Sequence, residues 1–278
     1  MTPRQCFRAA MNHEQPDRLL LDMGKHIGSI HRRAYAKLKD YLGDDNMVSG
    51  ELILDRMAQT VVPDECLLER FDIDFRWIAP HWVQVTERED VPGYIDMWGV
   101  PYKATEDWDH CVVDGAPLRE ATLQNIDDFR WPDPDDPDQF RGLRDKAKYL
   151  YENTDYVIGA DAIKAGVLMN ALQMRGYDKF FMDLAIDKSF AEAIMDRILH
   201  TLKEMWSRYM EEVGEYVQLA YVTDDLGSQT SLLISPRMFR EMLKLRMKEL
   251  HDHIKSCADV QLMFHTDGAV LPLVEDFL

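Results

Sequence analysis

The second half of the chain repeats one pattern that leaves few folds open: a short apolar run, then a polar cluster, then a long stretch of helical period. The runs are Tyr156 to Ala160, Val217 to Val222 and Val260 to Phe264. Helical segments to Ala185 and a helix from about Lys188 to Val213 separate the first two. Along that helix Phe190, Ile194, Ile198, Leu202, Met205, Tyr209 and Val213 form a core-facing stripe that ends at Gly214. Ser235-Pro236 then supplies an N-cap and a first-turn proline for a helix reaching about Ser256. Strands separated by long helices call for right-handed crossovers, and so for a parallel sheet.

The first half is less regular. Its expected order is a helix from Arg4 to Met11, a strand from Leu19 to Met23, helices near Ile30 to Leu42 and Pro63 to Phe71, and a strand at Phe75 to Ile78. Turn signals at Val91-Pro-Gly93 and Trp98-Gly99 make Trp82 to Tyr102 a β-hairpin excursion. The proline-rich, acidic Trp131 to Asp138 is a surface connection before a helix over Phe140 to Glu152. No repeat or low-complexity linker divides the chain, so residues 1–278 are expected to form one domain.

Polar residues cluster where the strands end: Lys25-His26, Asp161, Asp224-Asp225 and His265 to Asp267. In a (β/α) barrel these ends line the active-site mouth. A doubly wound sheet would put its ligand at the same edge, so this pattern locates the site without choosing between the two folds.

Composition narrows the function. A formal charge of −18 with no basic stripe argues against nucleic acid. No run approaches the roughly 18 apolar residues of a membrane span, and the first residues lack the core of a signal peptide, so the cytoplasm is expected. Cys6, Cys66, Cys111 and Cys257 are scattered and read as reduced thiols.

Several blocks resemble the uroporphyrinogen decarboxylase superfamily. They are Thr2 to Gln5 with Asn12 to Arg18, Glu69 to Arg76, Ile95 to Val100, Trp131 to Asp133, Leu172 to Tyr177, Asp224 to Gln229 with Ile234 to Pro236, and His265 to Gly268. Their ordered succession covers nearly the whole chain. The resemblance implies an α/β fold, a (β/α)8 TIM barrel of the uroporphyrinogen decarboxylase type with its cleft at the C-terminal mouth, often in a homodimer. Only about five barrel strands are expected here, which would leave the barrel short of roughly its last two or three β/α units.

The superfamily holds two chemistries. Its decarboxylases act on the acetate side chains of a tetrapyrrole without a cofactor, gripping carboxylates with arginines near the N-terminus. Its methyltransferases move a methyl group between a corrinoid carried on a partner protein and a thiol, folate or other small acceptor, using zinc held by a His-x-Cys motif and a later cysteine. Where the decarboxylase arginine motif would stand, this chain has Gly24 to His31, and His265-Thr-Asp-Gly268 occupies the place of His-x-Cys-Gly with Asp267 for the thiolate. The methyltransferase branch is therefore the nearer one. The alternatives are a decarboxylase, and a non-catalytic remnant or binding module.

On this basis His265 and Asp267 are expected to give nitrogen and oxygen ligands to zinc, with Asp225 as one source of a third. The bland alternative has Asp267 capping a helix and His265 hydrogen-bonded in the wall. Asp225 and His265 are the expected catalytic pair. Lys25, His26, Arg76, Asp224 and Gln229 are the expected substrate-binding residues, although Arg76 can equally bridge to Asp74 or Asp96.

Overall fold

The computed structural model describes residues 1–43, 47, 52–107 and 109–278. A reciprocal capping box between Thr2 and Gln5, with Pro3 in the first turn, starts helix α1 (Pro3–Met11). There follow α2 (Arg32–Leu42), β1 (Ile53–Asp55), β2 (Thr60–Val61), α3 (Glu65–Arg70) and β3 (Phe75–Ile78). Strands β4 (Thr86–Glu87), β5 (Gly93–Ile95), β6 (Pro101–Ala104) and β7 (Cys111–Val113) form a separate antiparallel sheet in sequence order. The excursion is thus a four-stranded sheet and wider than a hairpin.

Helices α4 (Leu123–Asp128) and α5 (Leu143–Asn153) lead to β8 (Val157–Ala160), α6 (Val167–Arg175), α7 (Tyr177–Ile186) and α8 (Lys188–Val213). After β9 (Leu219–Thr223) comes a helix in three parts. These are α9 (Pro236–Met238), a π-helical stretch over Phe239–Leu243, and α10 (Lys244–Cys257). Strand β10 (Gln261–His265), a 3-10 turn and α11 (Val274–Phe277) complete the described elements.

The fold is α/β with a parallel sheet in the order β10-β9-β8-β3. The strand expected over Leu19 to Met23 does not form. Asp74 is the reason: its carboxylate accepts from the N–H of Leu21 (2.8 Å) and from Arg18 (2.7 Å), while its own N–H donates to the Leu21 carbonyl (2.8 Å). A side chain takes the place of a ladder partner, and the segment runs beside β3 without joining the sheet.

Alternation along the strands gives the sheet two different faces. On one, Ile78, Ile158, Ala160, Ala220 and Val222 pack against the helices in the main core, where the whole expected stripe of α8 is buried. On the other, Phe75, Trp77, Val157, Leu219 and Tyr221 form a smaller apolar cluster that α1 covers with Phe7. Trp77 lies across Gly159, where an added Cβ would stand 2.4 Å from the indole ring. Gly159→Val should therefore displace Trp77 and cost about 1–3 kcal/mol, the usual penalty for overpacking. A urea midpoint equal to that of the parent protein would show that the inner face has slack.

Candidate active site

The polar groups at the ends of β9 and β10 are positioned from the backbone outwards. Asp224 follows β9 and is buried. Its N–H extends the ladder to the His265 carbonyl (3.0 Å), and its carboxylate accepts from the N–H groups of Leu168 and Met169 (both 2.8 Å) in the first turn of α6. Two donors that a helix start leaves unpaired are thereby satisfied. Burial, only partly offset by these bonds, pushes this carboxyl up to about 7. Asp224 is therefore a structural group inside the protein, whereas its neighbour Asp225 opens onto the cleft. Asp224, expected to bind substrate, is not among the residues lining that cleft.

The loops after β9 and β10 meet at two glycines. A Cβ on Gly268, where φ is +89°, would lie 2.4 Å from the Gly227 carbonyl carbon, and one on Gly227 would lie 2.8 Å from the Ala269 nitrogen. Backbones this close need glycine on both sides. The crossing is tied by Leu226 N–H to Thr266 Oγ1 (3.0 Å) and by Asp267 N–H to Asp225 Oδ1 (3.0 Å). As a result Asp225, His265 and Asp267 can each offer one ligand atom, all within 4.8 Å of one another. His265 Nε2 is 3.3 Å from Asp267 Oδ1 and 3.8 Å from Asp225 Oδ1, yet it is buried and makes no hydrogen bond.

A cleft of about 70 Å³ opens beside this cluster, between the parallel sheet and the antiparallel one. His26, Asp55, Trp82, Lys164, Thr223 and Asp225 are among its lining residues. Lys164 holds a left-handed backbone (φ +53°), forms an ion pair with the buried Asp96, and donates to the Tyr102 hydroxyl (2.9 Å). Burial lowers the proton affinity of its ammonium group, and the Asp55 carboxylate opposes that. The touching Asp96 carboxylate also favours the charged form. Asp161 is buried at the end of β8, accepting from the N–H groups of His26 and Ala162 (both 2.8 Å).

The other expected residues scatter. His26 lines the cleft. Lys25 turns to the inner face of the sheet, bound to Asp22 (2.7 Å) and 5.9 Å from the rings of Trp77 and Tyr221. Gln229 is exposed on the loop closed by the Gly227–Leu232 bridge and is not part of the cleft lining. Arg76 is buried away from the cleft. It pairs with Glu65 (2.6 Å), donates to the carbonyls of Ile73 and Phe75, and lies 3.6 Å over the Tyr156 ring. It bridges to neither Asp74 nor Asp96, and its strand position carries no hint of the Glu65 partner.

Two cleft residues, Asp55 and Lys164, went unrecognised in the sequence. Lys164 stands four residues beyond the end of β8, within reach of a strand-end search. Asp55 lies on a short antiparallel strand and carries no comparable signal.

Residues 112–278 match the family model described as Uroporphyrinogen decarboxylase (URO-D), which is more than half of the chain. Among solved structures, a methyltransferase from Methanosarcina mazei is similar with a TM-score of 0.62, covering 100% of this chain and 73% of that chain at 16% sequence identity. At that identity the likeness is one of fold. No curated protein sequence matches the chain.

Asp161 gives the site a measurable pH signature. Burial raises its carboxyl from 3.8 to about 6, against the opposing effects of His26, two backbone N–H groups and Lys25. Between those values the folded chain holds a proton that the unfolded chain has released. The stabilisation is complete below about pH 4 and is lost as pH rises through 6, on the order of 3 kcal/mol at most. Asp161→Asn should remove this part of the slope between urea midpoints at pH 4.5 and 7.5; an unchanged slope would show that Asp161 is ionised throughout.

Proposed function

The chain belongs to the uroporphyrinogen decarboxylase family, and on that footing we propose that it is a methyltransferase. In this reading zinc or a similar divalent ion is held by Asp225, His265 and Asp267, and the methyl group passes between a corrinoid on a partner protein and a small acceptor in the cleft. The observation that carries the proposal is the His265 ring nitrogen, buried without a hydrogen bond and faced by two carboxylates. A buried, unpartnered polar atom is costly, and a cation between it and the carboxylates would relieve that cost.

The residues fit such an ion. One imidazole and two carboxylates from two strand ends leave a coordination position open, as catalytic zinc sites do. Having oxygen in place of a thiolate makes the donor set harder, so manganese or ferrous iron is also acceptable to it. When bound, the ion would supply Lewis acidity to the acceptor. The chain's own parts do the rest. Asp224 and the Gly227–Gly268 crossing hold the ligands in register, and the antiparallel sheet limits the size of what can enter beside Asp225.

Against decarboxylation of an octacarboxylate tetrapyrrole stand the size and charge of the cleft. Its 70 Å³ is small beside the ~300–1,000 Å³ usual for larger ligands. Among the described residues its lining holds no arginine, and Lys164 is already bound to Asp96.

Titration of the metal-free chain with zinc or cobalt(II) tests the reading. One equivalent should bind, and His265→Ala or Asp225→Asn should weaken binding by at least about 100-fold, since losing even an outer-shell partner costs about 10–100-fold. The loaded protein should then demethylate methylcobalamin in the presence of a thiol. No metal uptake by the parent chain, or uptake that His265→Ala leaves unchanged, would refute the assignment.

A further inference from the structure

The cleft that carries Asp225 also carries an acid–histidine pair that the metal cluster does not use. Asp55, at the end of β1, is 2% exposed. Its Oδ1 accepts from the N–H groups of Met57 (2.6 Å) and Ala58 (3.1 Å), and its Oδ2 lies 3.2 Å from His26 Nε2. His26 is fixed from two further directions. Its backbone N–H donates to Asp161 Oδ2 (2.8 Å), and its ring stacks on Trp82, with centroids 6.3 Å apart and planes 25° from parallel.

The Asp55 carboxylate makes an ion-pair contact with one ring nitrogen of His26 and so favours the tautomer that carries the proton there, with the other nitrogen as a lone-pair acceptor. Here the carboxylate faces Nε2, so the acceptor is Nδ1. That atom has no hydrogen-bond partner among the described residues and is not among the sealed, unpartnered polar atoms. The ring is part of the cleft wall, as are Asp55, Lys164 and Asp225. An oriented base thus shares one cavity with Asp225 of the candidate metal cluster.

We propose that His26, positioned by Asp55, accepts the proton of a small protic nucleophile that enters the cleft to receive the methyl group; this role rests on the methyl-transfer function proposed for the site. The X–H bond of the acceptor breaks with its electron pair left on X, and the proton goes to His26 Nδ1, where Asp55 stabilises the imidazolium. The X lone pair forms the new bond to carbon as the methyl donor's bond breaks, with that pair staying on the donor. His26 then passes its proton to water. In the reverse direction it returns the proton to the demethylated group. His26 is the catalytic residue of the pair, and Asp55 is its positioning residue.

Two acceptors separate this role from a purely structural one. 2-Mercaptoethanol is a thiol at neutral pH, whereas 4-nitrothiophenol is already a thiolate. With methylcobalamin as donor, His26→Gln should lose about 10²–10⁴-fold in rate with the first, the usual contribution of a general base, and less than about tenfold with the second. Asp55→Asn should show the same selectivity to a smaller degree. Zinc stoichiometry and thermal unfolding of both variants report on folding and on the metal cluster independently.

In the metal-free protein, ring ¹⁵N spectra of His26 should show the proton on Nε2 in the parent chain, and that preference should be lost in Asp55→Asn. Equal loss with both acceptors, no loss with either, or a proton found on Nδ1 would overturn the proposal while leaving methyl transfer standing. A parent protein that transfers methyl to neither acceptor would overturn the methyl-transfer function and this role together.

Discussion

The carboxylate of Asp224 is the contact on which the site depends. It sits at the end of β9, caps the first turn of α6, and through its own N–H continues the pairing of β9 with β10. One side chain therefore sets the position of a helix against two strands. Gly166 makes room for it, since a Cβ there would lie 2.7 Å from the carboxylate. The cost is visible in the upward displacement of its proton affinity, because burial removes more solvation than two N–H groups restore. What is gained is direction: with Asp224 turned inwards, Asp225 is left facing the cleft and the loop after β10.

From that anchor the candidate ligands follow with little freedom. The Gly227–Gly268 crossing brings two loop backbones closer than any side chain would permit, and the Asp225 carboxylate itself accepts the Asp267 N–H across it. The backbones of the three candidate ligand residues are thus held by pairing across the two loops.

Legibility in the sequence tracked how local each feature is. The helix over about Lys188 to Val213 was readable in the sequence, because a long three-and-four-spaced apolar stripe ending at a glycine leaves little competing pattern. The ends of β9 and β10 were readable because apolar runs give way abruptly to acids and histidine. The segment Leu19 to Met23 misled because its composition suits a strand, while the Asp74 side chain that replaces its partner is 53 residues away from Leu21. Arg76 misled in the same manner: a lone strand arginine resembles a carboxylate clamp until Glu65 and Tyr156 are seen around it. Adjacent residues at a strand end point to opposite sides, but for Asp224 and Asp225 only the position of α6 determines which one turns inwards.

The same distinction separates chemistry from selectivity in this fold. The candidate ion-holding groups Asp225, His265 and Asp267 stand at or just after the ends of β9 and β10, where a parallel α/β sheet can present them. The wall that makes the opening small comes instead from residues around the antiparallel excursion: Trp82, Tyr94 and Tyr102, the two tyrosines stacked 4.8 Å apart. Lys164 joins the two parts, with its backbone in the loop after β8 and its ammonium on Asp96 and the Tyr102 hydroxyl of the excursion. Its left-handed backbone is a conformation that costs about 1–3 kcal/mol and persists only where surrounding contacts enforce it. Because the ion pair with Asp96 is one such contact, a shift of the excursion would be felt first at Lys164 and then at the cleft beside Asp225, so the wall that sets the size of the opening is tied through Lys164 to the parallel sheet.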